Sequence, residues 1–526
     1  MNSYSNLTGH RKKIIYAGGA AIAFIAIFTV ASLPSFKTAS VELSPETAVV
    51  LAEEGFRPAR ITIMQGQTLT FKTIRNQPFW PASNLHPTHE FYPEFDPRRV
   101  IQTNEEWGFH FDKPGVWEYH DHINPRYTGI VIVLARNAEG TSGASVTIPK
   151  VPDCNQYDSR TKEGQGNLLT CWDNFFRIKT RQAGVQTALD TFQEIYDADP
   201  FFRVHCHRQD HYLGEEAYWK LAEERKLDKK LNLPSSIDLC GNGFWHGFMQ
   251  EFASHDKNYG VDGAVAFCET NATNGKSLQQ CYHGIGHGLT YLHAGRLWQK
   301  DEVKKIVQTI IDAGVRDCEI IGKNVYSCTF GVMGGVENFY WGQHGFKMEI
   351  TKEDPFWLCE QQSRNDLKKA CYSVFMPILY SVLNRDTRAM LGIIQEKISD
   401  AEYLSLAAER AGEIFNKFET QVGQDDFSEF IRLCRTIAPP FHLRCLRGFA
   451  HGFIKDERPE TIPFASKTLC ASPLLSAEER DSCFQGIIEM LSYSFPDLDA
   501  LKLCQDVGRE YIESCVTRIK GVNYGQ

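Results

Sequence analysis

The chain lacks the short motifs that assign many proteins to a common enzyme class. It contains no CxxC pair, which excludes the usual zinc-ribbon and thioredoxin motifs, and no CxxCH sequence for c-type haem attachment. HExxH, P-loop, GxSxG and Rossmann glycine motifs are also missing from the sequence. A zinc protease, a nucleotide-binding enzyme and a serine hydrolase therefore have no support.

A strong excess of charge of one sign is missing as well. The formal net charge is -9 over 526 residues, and no stripe of lysine and arginine stands out. Because proteins that bind nucleic acids carry basic surfaces, we do not expect nucleic acid as a partner. The length exceeds what one ordinary hydrophobic core supports, so we expect several domains.

The N-terminal segment determines the predicted compartment. Residues 1–13 end in a basic group, and residues 14–36 form an uncharged run long enough to cross a membrane as a helix. Basic residues before this run predict a cytoplasmic N-terminus and a membrane-anchored protein whose bulk is periplasmic or extracellular. A signal peptide cleaved near Val30-Ala31-Ser32 is the alternative. Both interpretations export everything after the linker at residues 37–46.

The cysteines indicate the same kind of compartment. All 16 lie between Cys154 and Cys515, and the first 153 residues have none. An even number in an exported chain predicts structural disulfides formed in an oxidising compartment. Short gaps favour local pairing, with Cys206 and Cys240 as an eighth, more distant pair. The local pairs are Cys154–Cys171, Cys268–Cys281, Cys318–Cys328, Cys359–Cys371, Cys434–Cys445, Cys470–Cys483 and Cys504–Cys515.

Short alternating segments predict a β-domain over residues 47–136. Arg60–Met64 alternates apolar and polar residues, and a turn at Gln65–Gln67 leads to a second alternating segment, Thr68–Thr73. Aromatic residues alternate with other residues over Trp107–Phe111. Strands of this length with turns between them are typical of an all-β sandwich.

This β-domain resembles the cupredoxin family. The matching stretches are Gly55-Phe56-Arg57-Pro58, Gly66 before a strand, Trp107-Gly108-Phe109, Gly115–His122 and Gly129–Val133. The sequence Tyr-His-Asp-His-x-Asn-Pro, which begins at Tyr119, is closest to bacterial cupredoxin-like domains. Its Tyr-His-x-His element also looks like a copper-binding strand of multicopper oxidases. The resemblance covers under a fifth of the chain and implies a Greek-key sandwich with a copper site.

The cysteine that a blue-copper site requires is missing from this domain. Such a site needs a thiolate ligand, and Tyr119, His120 and Asp121 stand where the family carries it. No methionine occupies the usual axial position, where Arg126-Tyr127-Thr128 stands instead. Any metal site in this domain would therefore be a histidine-only, non-blue site.

Four histidines of the β-domain are the candidate metal ligands. His86 and His89 lie in a proline-rich loop, while His120 and His122 stand two apart and so face the same side of a strand. Imidazole suits copper or zinc, and the resemblance implies copper. The alternative is a metal-free domain with solvated histidines. Asp96 or a neighbouring glutamate could add an oxygen ligand.

A linker at residues 137–153 leads into a helical region at residues 154–526. This region repeats the pattern Cys-x-x-Gly-x-x-His-Gly, in full or in weaker form. Copies begin at Cys240, Cys281, Cys328, Cys445 and Cys483. The spacing is typical of a solenoid of helix pairs, with glycine where two helices approach closely. The long interval between Cys371 and Cys445 predicts one helix pair without cysteines.

Histidines of the helical region form a second set of candidate ligands. The set consists of His207, His211, His246, His283, His287 and His451. Two pairs are four residues apart and so share one helical face, and three of the six recur at one position of the repeat. Repeated histidines inside packed helices are more often hydrogen-bonded core residues, and we favour that interpretation over a metal site.

The sequence as a whole predicts a multidomain protein with a transmembrane helix, a cupredoxin-like Greek-key sandwich and a disulfide-rich, all-α repeat domain. We expect it to bind copper through His86 or His89, together with His120 and His122. We also expect the helical repeats to bind a protein partner. One alternative is a metal-free adhesion or scaffold protein, and another is a copper-dependent oxidoreductase. The missing motifs favour a binding protein over an enzyme.

Overall fold

A computed structural model describes most of the chain that follows residue 46. The described residues are 47–53, 55–83, 89, 92–134, 154, 162–255, 260–298, 302–341, 346–419, 426–455, 465–494 and 501–521. The predicted anchor at residues 14–36, the predicted linkers at residues 37–46 and 137–153, and His86 lie outside them.

Long helices of the protein carry charged side chains. The helix Lys162–Ala183, for example, has lysine or arginine near both ends, and a hydrocarbon core disfavours such residues. Within the described residues, no helix combines the length and the apolarity needed to cross a membrane. The predictions of a transmembrane helix and of a membrane-anchored location are corrected accordingly.

Two four-stranded sheets make up the described part of the β-domain. The strands are β1 (Ala48–Ala52), β2 (Gly55–Arg57), β3 (Arg60–Met64), β4 (Gln67–Thr73), β5 (Pro81–Ser83), β6 (Trp107–Phe111), β7 (Gly115–Asp121) and β8 (Asn124–Leu134). One sheet has the order β2-β1-β4-β6, and the other has the order β3-β8-β7-β5. In β4, buried Leu69 and Phe71 alternate with more exposed residues, as expected for a strand with one face on a core.

Both sheets combine parallel and antiparallel strands. β1 is parallel to β4 and β3 is parallel to β8, whereas the other neighbouring strands are antiparallel. The chain passes from β2 to β3 of the second sheet before it returns as β4, so β4 runs beside β1 in the same direction. A Greek key consists of antiparallel strands. The predicted fold class is therefore wrong, and the domain is a small two-sheet structure with mixed strand directions.

Aromatic side chains form much of the core of the β-domain. Phe71, Phe95 and Tyr119 are fully buried in one cluster. Phe95 stacks on Trp107 with ring centroids 5.8 Å apart. Because Tyr119 belongs to β7, its burial anchors the strand that also carries the candidate ligand His120.

The rest of the described chain is a large helical domain. Its α-helices are α1 (Lys162–Ala183), α2 (Val185–Ala198), α3 (Pro200–Glu223), α4 (Ser235–Leu239), α5 (Gly243–His255), α6 (Gly260–Asn271), α7 (Gly275–Leu297), α8 (Val303–Ile321), α9 (Val325–Tyr340), α10 (Trp357–Gln361), α11 (Asn365–Val374), α12 (Met376–Val382), α13 (Thr387–Lys397), α14 (Ala401–Glu419), α15 (Ser428–Cys434), α16 (Phe441–Lys455), α17 (Ala477–Ser494) and α18 (Ile512–Gly521). A π-helical segment, Ala465–Cys470, and two 3-10 turns, Cys504–Asp506 and Arg509–Tyr511, lie among the last of them.

Local sequence signals explain where these helices begin and end. The side chain of Asn274 caps α7 by accepting the backbone N–H of Ser277 at 2.9 Å. Helix α8 ends at Gly322, whose φ of 68° is the left-handed conformation that glycine adopts easily. Within α8, apolar residues such as Ile306 and Ile310 recur at helical spacing and are buried.

Eight disulfides join the cysteines in the pairs that the sequence predicts, including Cys206–Cys240. The prediction of structural disulfides is confirmed. Most of the bonds connect successive helices: Cys318 lies in the last turn of α8, and Cys328 lies in the first turn of α9. Closing such a short loop stabilises a helix pair by about 3 kcal/mol.

The longer helices stack in series. Helices α3, α5, α7 and α9 contact one another in this order, and the series continues through α11, α14 and α16 to α17. The glycine of the repeat lies where two helices approach. A Cβ atom at Gly284 would overlap the carbonyl oxygen of Trp245, and one at Gly331 would overlap that of His283. The pair formed by α13 and α14 contains no cysteine, as the long interval in the repeat predicts.

The sheet that contains β7 packs against the first helices. Val116 of β7 and Ile178 of α1 belong to one small apolar cluster. Arg177 of α1 donates a hydrogen bond to Glu118 of β7 at 2.8 Å. Apolar and charged contacts together therefore hold β7, and with it the candidate ligands of the β-domain, against the helical domain.

Candidate functional site

Three histidines of the β-domain lie close together. His120 belongs to β7, His122 directly follows this strand, and His89 lies in the connection between β5 and β6. One side-chain nitrogen of each lies within 4.8 Å of the other two. His89 and His120 are buried, and His122 is half-buried. The structure thus brings together three of the four predicted ligands, and His86 lies outside the described residues.

Asp96 orients the ring of His89. One oxygen of Asp96 lies 2.7 Å from Nδ1 of His89. The other accepts hydrogen bonds from Nε1 of Trp80 and from the backbone N–H of Arg98, both at 2.7 Å. Burial alone would raise the pKa of Asp96, but its hydrogen bonds outweigh burial and hold this pKa below its usual value. The charged carboxylate keeps the proton of His89 on Nδ1, so that Nε2 faces Nδ1 of His122 at 2.9 Å.

The end of β7 is bent next to this group. Its pairing with β8 changes register between His120 and Asp121. Asp121 is buried and accepts backbone N–H groups at 2.8 and 3.2 Å, the first from Trp80. Burial raises the pKa of Asp121 to about 6. The ring centroids of His120 and His122 lie 6.0 Å apart, and both are close to His89, at 5.3 and 4.8 Å.

The three-histidine group offers imidazole nitrogens and no thiolate. All cysteines of the chain lie beyond residue 153, and the described ones are all in disulfides. Three imidazole nitrogens at this spacing suit a copper or a zinc ion and leave a position open for water or a small ligand. The group can therefore hold a metal ion.

Sequence reasoning missed how this group is positioned. It treats Asp96 as a source of an oxygen ligand, whereas the carboxylate contacts the far nitrogen of His89. It assigns no role to Trp80, which contacts both Asp96 and Asp121. Loop residues carry no periodic pattern that predicts such contacts, so only the proximity of an acidic residue to a histidine could have suggested them.

Five of the six helical histidines form a second group, which we call the five-histidine cluster. Its members are His207 and His211 of α3, His246 of α5, and His283 and His287 of α7. The ring centroid of His246 lies 4.9 Å from that of His283 and 5.4 Å from that of His287. The rings of His207 and His246 are 5.6 Å apart. Successive helices of the stack therefore bring these histidines together.

Two rings of the cluster donate hydrogen bonds to backbone carbonyls outside it. Nδ1 of His207 lies 2.9 Å from the carbonyl oxygen of Cys240. The ring of His283 hydrogen-bonds the backbone of Ser327, and this contact raises its pKa, as a bond donated by the ring does. Each such bond decides which ring nitrogen carries the proton.

Burial keeps three rings of the cluster neutral. It lowers the pKa of His283 to about 4 and lowers the pKa of His246 and of His287 well below the usual value. Nearby imidazoles, including that of His211, lower the last two pKa values further. Nδ1 of His287 is buried with no hydrogen-bond partner in the described part of the chain. The other nitrogen of this ring, Nε2, lies 3.1 Å from Nε2 of His283.

His451 lies among carboxylates instead of imidazoles. Its Nδ1 is 3.3 Å from Glu413, and its Nε2 is 3.7 Å from Glu489. Ligand atoms of Glu409, His451 and Glu489 lie within 4.8 Å of one another, so this group also has the spacing of a metal site. Arginines already pair with these acids, however, as Arg447 does with Glu489. We interpret the group as an ion-pair network.

Comparisons with known proteins assign no family to the chain. No protein-family model matches its sequence, and no curated protein matches it. The resemblance of the β-domain to cupredoxins therefore stays a prediction, and the two histidine groups themselves are the observations that bear on function.

Proposed function

We propose that this protein binds copper at a histidine-only, non-blue site formed by His89, His120 and His122. The observation that carries the proposal is the convergence of three imidazole nitrogens within 4.8 Å of one another. The hydrogen bond between His89 and Asp96 supports it, because histidines that bind metals commonly donate their second N–H to a carboxylate.

Copper is the ion that we favour at this group. Among divalent first-row ions, copper binds nitrogen ligands most tightly. The resemblance of the β-domain to cupredoxins favours the same ion. Without a thiolate ligand, copper storage, copper sensing or a type-2-like centre fits better than fast electron transfer. Zinc could use the same three nitrogens in a tetrahedral arrangement and is the comparison ion in the test.

We propose that the helical domain presents a binding surface to a protein partner, as stacked repeats commonly do. The contacts of β7 with α1 support a joint role of the two domains, because they join the strand that carries His120 to the stack. A metal-free scaffold and a copper-dependent oxidoreductase are the competing functions.

The test compares copper binding by the full-length chain with that of two variants. Wild type, H120A/H122A and H110A are loaded with Cu(II) or Zn(II), freed of unbound metal and analysed for metal per chain. His110 is exposed on β6 and serves as the matched control. We expect H120A/H122A to hold one copper ion fewer per chain than wild type, and H110A to equal wild type.

Two results would speak against this proposal, and a third would change the function assigned to the same site. If H120A/H122A folds and holds as much copper as wild type, His120 and His122 do not form a copper site. If wild type retains neither copper nor zinc, the result would favour the alternative function, a metal-free scaffold protein. Oxidation of a reductant by oxygen that is lost in H120A/H122A would instead make the protein a copper-dependent oxidoreductase. Circular dichroism of each variant checks that it is folded.

A further inference from the structure

We propose that the five-histidine cluster of α3, α5 and α7 binds a second metal ion, of the copper or zinc type. The inference does not depend on the site of the β-domain. Imidazole nitrogens would be the ligands, and copper and zinc accept such ligands readily. Magnesium and calcium prefer oxygen and are therefore poor candidates.

His283 and His287 present the same ring nitrogen to each other. Their Nε2 atoms are 3.1 Å apart. Two nitrogens bound to one ion at about 2.0–2.1 Å lie roughly 3–3.4 Å from each other, so this spacing suits two ligands of a single ion. The ring of His283 donates a hydrogen bond to the backbone of Ser327. With Nδ1 as the donor, Nε2 carries a lone pair that faces His287.

Without a metal ion, the buried ring of His287 leaves a nitrogen unsatisfied. This residue is only 8% exposed, and its Nδ1 has no hydrogen-bond partner among the described residues. If the proton is on Nε2, then Nδ1 is a buried acceptor without a donor. If the proton is on Nδ1, two lone pairs face each other across 3.1 Å. A cation between the Nε2 atoms would attract both lone pairs, so the state with the proton on Nδ1 would become favourable.

Other rings of the cluster are oriented as metal-binding histidines usually are. His207 donates its Nδ1–H to a backbone carbonyl at 2.9 Å, and Nδ1 of His211 lies 3.0 Å from a carboxylate oxygen of Glu215. Such contacts direct the Nε2 lone pair toward a metal. The ring of His246 makes a longer contact, 3.4 Å from Nε2 to Gln280, which it can give up when it turns toward an ion.

A glycine of α9 leaves open the space beside the two facing nitrogens. Gly334 occupies the position of the repeat at which His246 and His287 stand on the preceding helices. A Cβ atom there would lie 2.8 Å from Nε2 of His287 and 3.6 Å from Nε2 of His283. Helix α9 therefore closes the cluster on one side without filling the place of an ion.

The rings of the cluster differ in exposure. His207 is exposed, His246 and His283 are half-buried, and His287 is buried. An ion can therefore reach the buried nitrogens by way of rings that solvent reaches, as a functional metal site requires.

The test uses the full-length chain in the H120A/H122A background, which removes the ligands of the first site. Zn(II) and Cu(II) per chain are measured after unbound metal is removed, and X-ray absorption of the bound ion gives its ligands. We expect one ion per chain with nitrogen ligands that include the imidazoles of His283 and His287. Adding H283A/H287A should remove the ion, whereas adding H255A, exposed at the end of α5, should not.

A glycine variant tests the site with every imidazole in place. G334A should weaken metal affinity roughly tenfold or more, because its Cβ would displace the ring of His287. Gly295 of α7 has open space around its Cβ position, so G295A should leave the affinity unchanged. This pair decides the question if H283A/H287A does not fold.

Two results would overturn the inference. The first is a folded H120A/H122A chain that retains no ion, which would leave the β-domain site standing alone. The second is unchanged metal affinity in G334A together with unchanged metal content in H283A/H287A. The difference in copper content between wild type and H120A/H122A tests the β-domain site, and the metal that H120A/H122A still retains tests the five-histidine cluster. Either proposal can therefore be contradicted while the other is supported.

Discussion

Single carboxylate and carbonyl oxygens determine which nitrogen each candidate ligand presents. Asp96 contacts Nδ1 of His89 at 2.7 Å, and the Cys240 carbonyl contacts Nδ1 of His207 at 2.9 Å. Both contacts keep a proton on Nδ1 and leave a lone pair on Nε2, the atom that each proposal assigns to the metal. At the residue scale, these oxygens are therefore as important to the two proposals as the histidines that they orient.

Replacing Asp96 tests this role at the three-histidine group. D96N keeps the shape of the side chain but removes the charge that orients His89, so copper affinity should fall by roughly 10–100-fold. Competition with a chelator of known affinity measures the change. D112N alters an exposed aspartate of the same domain and should have no effect. Equal affinities of D96N and wild type would show that Asp96 does not position a ligand.

At the scale of elements, helix α17 begins with a capping box. The backbone N–H of Ser476 donates to Glu479 at 2.8 Å, and the backbone N–H of Glu479 donates to Oγ of Ser476 at 3.2 Å. Arg435, at the end of α15, adds two hydrogen bonds to the same carboxylate at 2.7 Å each. These contacts, with that of Arg435 the largest, lower the pKa of Glu479 to about 2. One carboxylate thus joins the start of α17 to the preceding helix pair.

The lowered pKa of Glu479 predicts a loss of stability in acid. Its pKa is about 2 in the folded chain and 4.5 for an ordinary glutamate, so its contribution is complete above pH 4.5 and disappears as the pH falls toward 2. At neutral pH, E479Q should reduce the free energy of unfolding by roughly 1–3 kcal/mol.

Denaturant unfolding of wild type and E479Q between pH 7 and pH 2 measures this contribution. The two curves of stability against pH should converge at the acid end. E478Q changes the exposed neighbour and should follow wild type throughout. A difference between E479Q and wild type that stays constant with pH would contradict the assignment to the charged carboxylate.

At the scale of the whole molecule, a buried arginine connects the two domains. Arg177 of α1 donates hydrogen bonds to Glu118 of β7 at 2.8 Å and to Glu215 of α3 at 3.2 Å. Burial alone would lower the pKa of Arg177, but the two carboxylates outweigh burial and raise it. Glu215 also contacts His211 at 3.0 Å. Charged contacts therefore run from the strand of His120 to the five-histidine cluster.

Removing this arginine should loosen the contact between the domains. R177A leaves Glu118 and Glu215 without their buried partner, and such a loss costs about 3–5 kcal/mol. Thermal unfolding followed by circular dichroism measures the effect. R388A removes an exposed arginine of α13 and should leave the melting temperature unchanged. If R177A and wild type have the same melting temperature, the ion pairs of Arg177 do not stabilise the contact between the two domains.

Strands and helices whose apolar residues recur regularly could be predicted from the sequence. Helices that bury polar side chains could be predicted only in part. Strand β3 has the predicted bounds, Arg60–Met64, because its side chains alternate regularly. The spacing predicts a helix over Glu215–Lys226, whereas α3 runs over Pro200–Glu223. Buried polar residues such as Gln209 and Asp210 interrupt the apolar pattern of α3, so its first half is not recognisable.

The sequence by itself predicted the disulfide pairs and the repeat. Most cysteine pairs are 10 to 17 positions apart, and a short loop limits which sulfurs can meet. The close approach of helices demands glycine at one position, so the repeat is visible without a structure. The spacing of His120 and His122 similarly identified two candidate ligands of the β-domain, because a strand has a period of two.

Only the tertiary structure decided the strand directions and the surroundings of the histidines. The parallel pairing of β1 with β4 depends on a crossing between sheets, which no local pattern records. His287 and His451 occupy the same position of the repeat, yet one faces imidazoles and the other faces carboxylates. The reason is physical: beyond His283, which lies on α7 itself, these rings contact residues of other helices. His246 and Glu413 are each 30 or more residues away from the histidine that they contact.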